Sequence, residues 1–169
     1  MKVTRRAAMD FEKRLQNAIQ RGQKRCHSRR DEALAKVITE EELKQLHGQY
    51  RLQLSEHIEH CVQRLPHYFP GFQYETIFGE RGWGAACSRD DIRVLPGGKR
   101  TNLYSRLELA VRPFSHLHVL EMSGKGAIRN KEVFYRTHFE KIEDADPDKF
   151  LELVDLWVLE YAELYAAEH

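Results

Sequence analysis

Between residues 72 and 139 the chain carries five runs of strand-type pattern, joined by connections too short to hold a helix. Strands joined this closely must pair antiparallel, because a parallel neighbour needs a crossover of a dozen or more residues. That stretch makes the centre of the fold an antiparallel meander. In the first run Phe72, Tyr74, Thr76 and Phe78 alternate with Gln73 and Glu75, the period of two of a half-buried strand. The second runs from Trp83 through Ser88 to Val94, with a bulge expected around Asp90 and Asp91, and Pro96-Gly97-Gly98 turns the chain. In the third, Leu103, Leu107, Leu109 and Val111 face one way, while Tyr104, Arg106, Glu108 and Arg112 face the other, and Pro113 ends it. A fourth covers residues 117–128, weakened by Gly124 and Gly126. Arg129-Asn130-Lys131 is then a hairpin tip leading into a fifth run over residues 132–139.

Helical pattern flanks the strands on both sides. From residue 7 to 37 the composition favours helix and is heavily charged. Phe11, Leu15, Ala18, Gly22 and Cys26 recur at spacings of three and four, a narrow face thin in large apolar groups. Thr39 followed by Glu42 fits a capping box. Leu43, Leu46, Tyr50, Leu54, Ile58, Cys61, Val62 and Leu65 then repeat every three or four residues, until Pro66 and Pro70-Gly71 close the segment. The two segments are one long kinked helix or a tightly turned pair. The final helix starts at Asp146 as N-cap, with Pro147 and Asp148 next. Along residues 148–165 the apolar residues leave Asp148, Glu152, Asp155 and Glu163 as a narrow polar line, so cover on more than one side is expected. The expected fold is α+β: a five-stranded antiparallel meander flanked by a long N-terminal helix region and a C-terminal helix packed on one face. Residues 1–38 are expected to form a basic N-terminal helix, as an extension or a dimerisation arm, and residues 39–169 a single α+β domain.

The charge total conceals a polarised chain. Over 169 residues, 27 Lys+Arg stand against 26 Asp+Glu, yet residues 1–30 carry a net +8 and residues 140–169 a net −8. A +8 helix suits sequence-independent binding of phosphates. It equally suits contact with acidic helices, within one molecule or across a dimer. Arg5, Arg6, Arg14, Arg21 and Arg25 are therefore interaction candidates. Phe11 is the one aromatic residue among the N-terminal arginines, which weakens the case for stacking on single-stranded nucleic acid. No run approaches the roughly 18 apolar residues of a membrane span, so no membrane partner is expected. Cys26, Cys61 and Cys87 form no C-x-x-C pair, which fits a reducing, cytoplasmic compartment. The twin Arg5-Arg6 precedes Asp10, Glu12, Lys13 and Arg14 rather than the apolar stretch of an export signal.

Candidate chemistry is sparse. Glu56-His57-Ile58-Glu59-His60-Cys61 sets potential zinc ligands at helical spacings, but it matches neither H-E-x-x-H nor the paired E-x-x-H of di-iron bundles. The segment supplies at most two or three ligands, so His57, His60 and Cys61 are weak candidates. The expectation is no metal, with the histidines on the exposed flank and Cys61 facing the core. His116 and His118 would share one strand face, near His138 on a neighbour. Trp83, among glycines from Gly79 to Gly84, could anchor a partner or, with Trp157 and Tyr161, line a cup between sheet and last helix. Asp90 and Asp91 point to opposite faces of a strand and make no dyad. With no G-x-S-x-G, P-loop or G-x-G-x-x-G, nothing supports a named reaction or a cofactor. The expected function is a non-enzymatic protein-interaction module that binds a protein partner or itself as a homodimer. Nucleic-acid binding by the basic helix is the first alternative, and a small ligand or substrate in the cup is the second.

Overall fold

The computed structural model describes the backbone of residues 2–168 and the side chains of residues 11–35 and 39–168. In chain order the elements are α1 (Lys2–Val62), a short α2 (Leu65–Tyr68), β1 (Gln73–Ile77), β2 (Trp83–Val94), β3 (Arg100–Val111), β4 (Val119–Ile128) and β5 (Lys131–Lys141). A 3-10 turn (Ile142–Asp144) and α3 (Pro147–Ala167) complete the chain. The fold is α+β, and it divides into two units, Met1–Glu42 and Leu43–His169.

The first unit is helical, and every side chain from residue 11 to 35 is exposed. The helix start expected at Thr39 is absent. Thr39 Oγ1 donates a 2.7 Å hydrogen bond to the Ala35 carbonyl one turn back. Inside a helix that carbonyl lies within reach of a threonine hydroxyl, whereas the N–H groups ahead are already bonded to the preceding turn.

The second unit is built on one sheet with order β1-β2-β3-β4-β5, all neighbours antiparallel. Residues directly opposite share a face, so Cys87, Leu107, Gly126 and Phe134 form one row across four strands. That face is buried beneath Leu54, Ile58 and Val62 of α1 and Phe150, Val154, Trp157, Tyr161 and Tyr165 of α3. The two β4 glycines are what let α3 approach. A Cβ on Gly124 would lie 2.6 Å from Trp157 Cε3, and one on Gly126 3.0 Å from Tyr161. Tyr161 satisfies its buried hydroxyl by donating 3.0 Å to the Ala127 carbonyl.

Several local expectations need correction. The β2–β3 register is unbroken from Trp83↔Val111 to Val94↔Arg100, and the irregularity falls at Gly126/Ala127 instead. Asp90 and Asp91 need no bulge because each has a partner on its own face: Asp90 accepts from Asn102 at 2.7 Å, and Asp91 from Arg89 at 2.8 Å. Phe78 lies beyond β1 and is exposed, while Ile77 is buried in its place. The tip at Arg129 and Asn130 is as expected: both have positive φ (48° and 68°), the signature of a primed two-residue turn. Asn130 Oδ1 pins it by accepting from Tyr104 N–H at 2.9 Å.

α3 begins as its sequence indicates, with Asp146 Oδ1 accepting from Asp148 N–H at 3.1 Å. Its buried residues, Phe150, Val154, Trp157, Val158, Tyr161 and Tyr165, recur at one-, three- and four-residue steps and make a single stripe. Leu156 and Leu159 remain 59% and 65% exposed.

Candidate functional site

On α1, Arg14, Arg21 and Arg25 are exposed, and Arg21 Nε donates 3.4 Å to the Asn17 carbonyl one turn back. Arg14, Asn17, Gln20, Arg21 and Lys24 occupy one flank of the helix. Phe11, Leu15 and Ile19 recur every four residues, and Phe11 is 66% exposed. The side chains of Arg5 and Arg6 lie outside the described residues.

The aromatic candidates separate. Trp157 and Tyr161 belong to the core, with Trp157 seated on Gly124 and Tyr161 on Gly126. Both rings lie against β4, on the sheet side of α3. Trp83 is half-buried, and the Arg51 guanidinium lies 4.1 Å from its ring centroid, a cation–π contact between α1 and β2. Gly82 and Gly84, on either side of Trp83, let the chain lie close against the β3 backbone. Gly82 has φ +107°, and a Cβ there would lie 2.4 Å from the Val111 carbonyl oxygen. Cys87 is buried, and burial pushes its thiol up to about 12, the reverse of an activated nucleophile.

The histidines also separate. His116 and His118 precede β4 rather than sharing a strand face. A turn there closes with His118 N–H on the Ser115 carbonyl at 3.1 Å and gives His118 a φ of +54°. His138 lies on β5 with its ring 4.9 Å from that of Phe150. His60 is exposed and lines a surface hollow with Gln63, Arg64, His67 and Tyr68.

His57 and Cys61, one turn apart on α1, meet Asp155 of α3. His57 Nε2 lies 2.7 Å from Asp155 Oδ1, Cys61 Sγ donates to the same oxygen at 3.5 Å, and Sγ lies 3.6 Å from Nε2. His57 is 30% and Asp155 53% exposed, and Cys61 is half-buried against the core. A Cys-His-Asp relay needs the two ring nitrogens to serve different partners, one facing the nucleophile and the other the carboxylate. Here a single nitrogen faces both. Burial, then the hydrogen bond and charge of Asp155, push the Cys61 thiol up to about 11, so it is held as the thiol. The arrangement brings three donor atoms of different kinds to one point and does not activate a nucleophile. Sequence reading found the helical half of this cluster and missed Asp155. Only the tertiary approach of α3, 94 residues further on, supplies it.

The sheet face opposite the helices carries a second polar system that no motif announced. Arg106 Nη1 bonds Glu75 at 2.6 Å and its Nη2 bonds Glu108 at 3.1 Å, with Arg81 3.5 Å from Glu108. Tyr135 and Phe139 are exposed. The chain matches no protein-family model, and neither a curated protein nor a solved structure is significantly similar to it.

Proposed function

We propose that the chain is a non-enzymatic protein-interaction module that associates with a second copy of itself. The observation that carries this reading is the exposed helical segment of residues 11–35, in which apolar Phe11, Leu15 and Ile19 run beside basic Arg14, Arg21 and Lys24. A chemically complementary surface exists in the same sequence. Glu152, Leu156, Leu159 and Glu163 recur at spacings of four, three and four on α3, and all are exposed. Residues 1–30 carry +8 and residues 140–169 carry −8. Exposed charges of this kind steer and orient association more than they tighten it, and salt screens them within about 10 Å. The affinity comes from the apolar side chains, each worth about 1.5–3 kcal/mol when fully buried. A cytosolic setting accords with Cys26, Cys61 and Cys87 being free thiols.

A charge-swap mixing experiment tests the proposal. One variant carries Arg14→Glu, Arg21→Glu and Arg25→Glu, and the other Glu152→Lys and Glu163→Lys. Each alone should self-associate more weakly than the parent, because the charge contrast shrinks: residues 1–30 fall from +8 to +2 in the first variant, and residues 140–169 from −8 to −4 in the second. Mixed, the substituted positions on the arm of one variant meet the oppositely charged substituted positions on α3 of the other, the two unchanged surfaces also face each other, and association should return. A mixture no more associated than its components contradicts the reading. The shared flank of Arg14, Arg21 and Lys24 supports a second reading, phosphate contact with nucleic acid. Retardation of a DNA duplex that falls steeply with salt and disappears in the arginine-to-glutamate variant would favour it.

A further inference from the structure

The structure assigns a divalent-metal site of zinc-type chemistry to His57, Cys61 and Asp155. Their ligand atoms all lie within 4.8 Å of one another and comprise one sulfur, one nitrogen and one carboxylate oxygen. Zinc accepts that donor set, whereas a thiolate disfavours magnesium and calcium, which take oxygen. The distances agree with the same chemistry. Zinc bonds of about 2.3 Å to sulfur and about 2.0–2.2 Å to nitrogen and oxygen set tetrahedral edges of about 3.5–3.6 Å from sulfur and about 3.4 Å from nitrogen to oxygen. The two sulfur edges have these lengths already, at 3.6 and 3.5 Å. The third, now a 2.7 Å hydrogen bond, must open by about 0.7 Å once the bridging proton leaves.

A simple His–Asp ion pair needs no sulfur at tetrahedral distance from both partners. Here His57 Nε2 and Cys61 Sγ both converge on Asp155 Oδ1, and a cation among the three atoms would replace the protons that now join them. On binding, the Cys61 proton passes to solvent and the His57 proton moves from Nε2 to Nδ1, leaving a thiolate, an imidazole nitrogen and a carboxylate on the metal. The ligands are carried on elements fixed by the core, since Leu54, Ile58 and Val62 flank the α1 pair, and Val154, Trp157 and Val158 flank Asp155. The exposure of His57 and Asp155 leaves the fourth tetrahedral position to solvent, the arrangement of three protein ligands plus water.

The test uses the full chain carrying Cys26→Ser, so that the exposed Cys26 thiol does not compete. Equilibrium dialysis should find one zinc per chain, and cobalt(II) should give a tetrahedral spectrum with a thiolate-to-metal charge-transfer band. Cys61→Ser should abolish that band. His57→Gln and Asp155→Asn should each weaken zinc at least about tenfold, and His60→Gln should change nothing. No uptake at millimolar zinc, an octahedral cobalt spectrum without the band, or affinity indifferent to all three substitutions would each overturn the assignment. The cobalt spectrum of the parent protein is decisive even if a variant fails to fold.

Discussion

Residues 11–35 and residues 43–62 belong to the same α1 helix, yet their surroundings are opposite. In the second stretch Leu43, His47, Leu54, Ile58 and Val62 are buried. In the first, every side chain is exposed. Both stretches are charged and helix-favouring, and both show three- and four-residue apolar spacing. What separates them is the size of the recurring residues: Ala18 and Gly22 in one, Leu54 and Ile58 in the other. Spacing gives a helix a face, but only large side chains on that face give the helix something to bury. Long helices in proteins draw most of their stability from such burial. The exposed stretch therefore has apolar and basic groups to offer a partner.

The largest effect that sharpens this contrast is cavity formation. Measured on the dissociated chain at low concentration, Ile58→Ala or Leu54→Ala should cost about 2–5 kcal/mol in denaturant unfolding, while Leu15→Ala or Ile19→Ala should stay within about 0.5 kcal/mol. Equal costs would erase the distinction. Next come the glycines. Gly124→Ala drives a methyl into Trp157 and should cost about 1–3 kcal/mol. Gly22→Ala meets nothing within 4 Å and should raise helicity by about 1 kcal/mol of propensity, read by circular dichroism. Capping gives a smaller pair. Asp146→Ala should cost about 1 kcal/mol, whereas Thr39→Ala, which removes a backward bond and no cap, should be near neutral.

The smallest effect depends on pH. Burial holds His47 below its ordinary 6.5, its Nε2 has no hydrogen-bond partner among the described residues, and Arg51 adds like charge. The unfolded chain therefore binds this proton first as pH falls. Stability is complete above about pH 6.5 and declines below it, toward the lower folded-state value. Urea midpoints from about pH 7 to about pH 5 should fall more for the parent than for His47→Leu. Parallel curves would show that His47 titrates normally.

Much of the fold was legible because its signals are local. The meander followed from short connections, α3 from Asp146-Pro147-Asp148, and the tip from Asn130, each decided by residues adjacent in sequence. Three features were not legible, and each depends on a partner that the neighbouring residues do not reveal. Thr39 reads as a cap until the preceding turn supplies the Ala35 carbonyl. Gly124 and Gly126 read as weak points in a strand until Trp157 and Tyr161 lie on them. The His57–Cys61 pair reads as a flank until Asp155 arrives from α3. The same limit applies to α3's surface: composition showed an excess of apolar residues, but not that Leu156 and Leu159 would be the exposed ones.

Light scattering of the full chain across a dilution series most directly tests whether the exposed part of α1 is an association surface. The expected result is a mass of two chains at high concentration that falls to one on dilution. The transition should move to higher concentration with added salt and with Arg14→Glu, Arg21→Glu and Arg25→Glu together. A mass of one chain at every concentration and salt would contradict it.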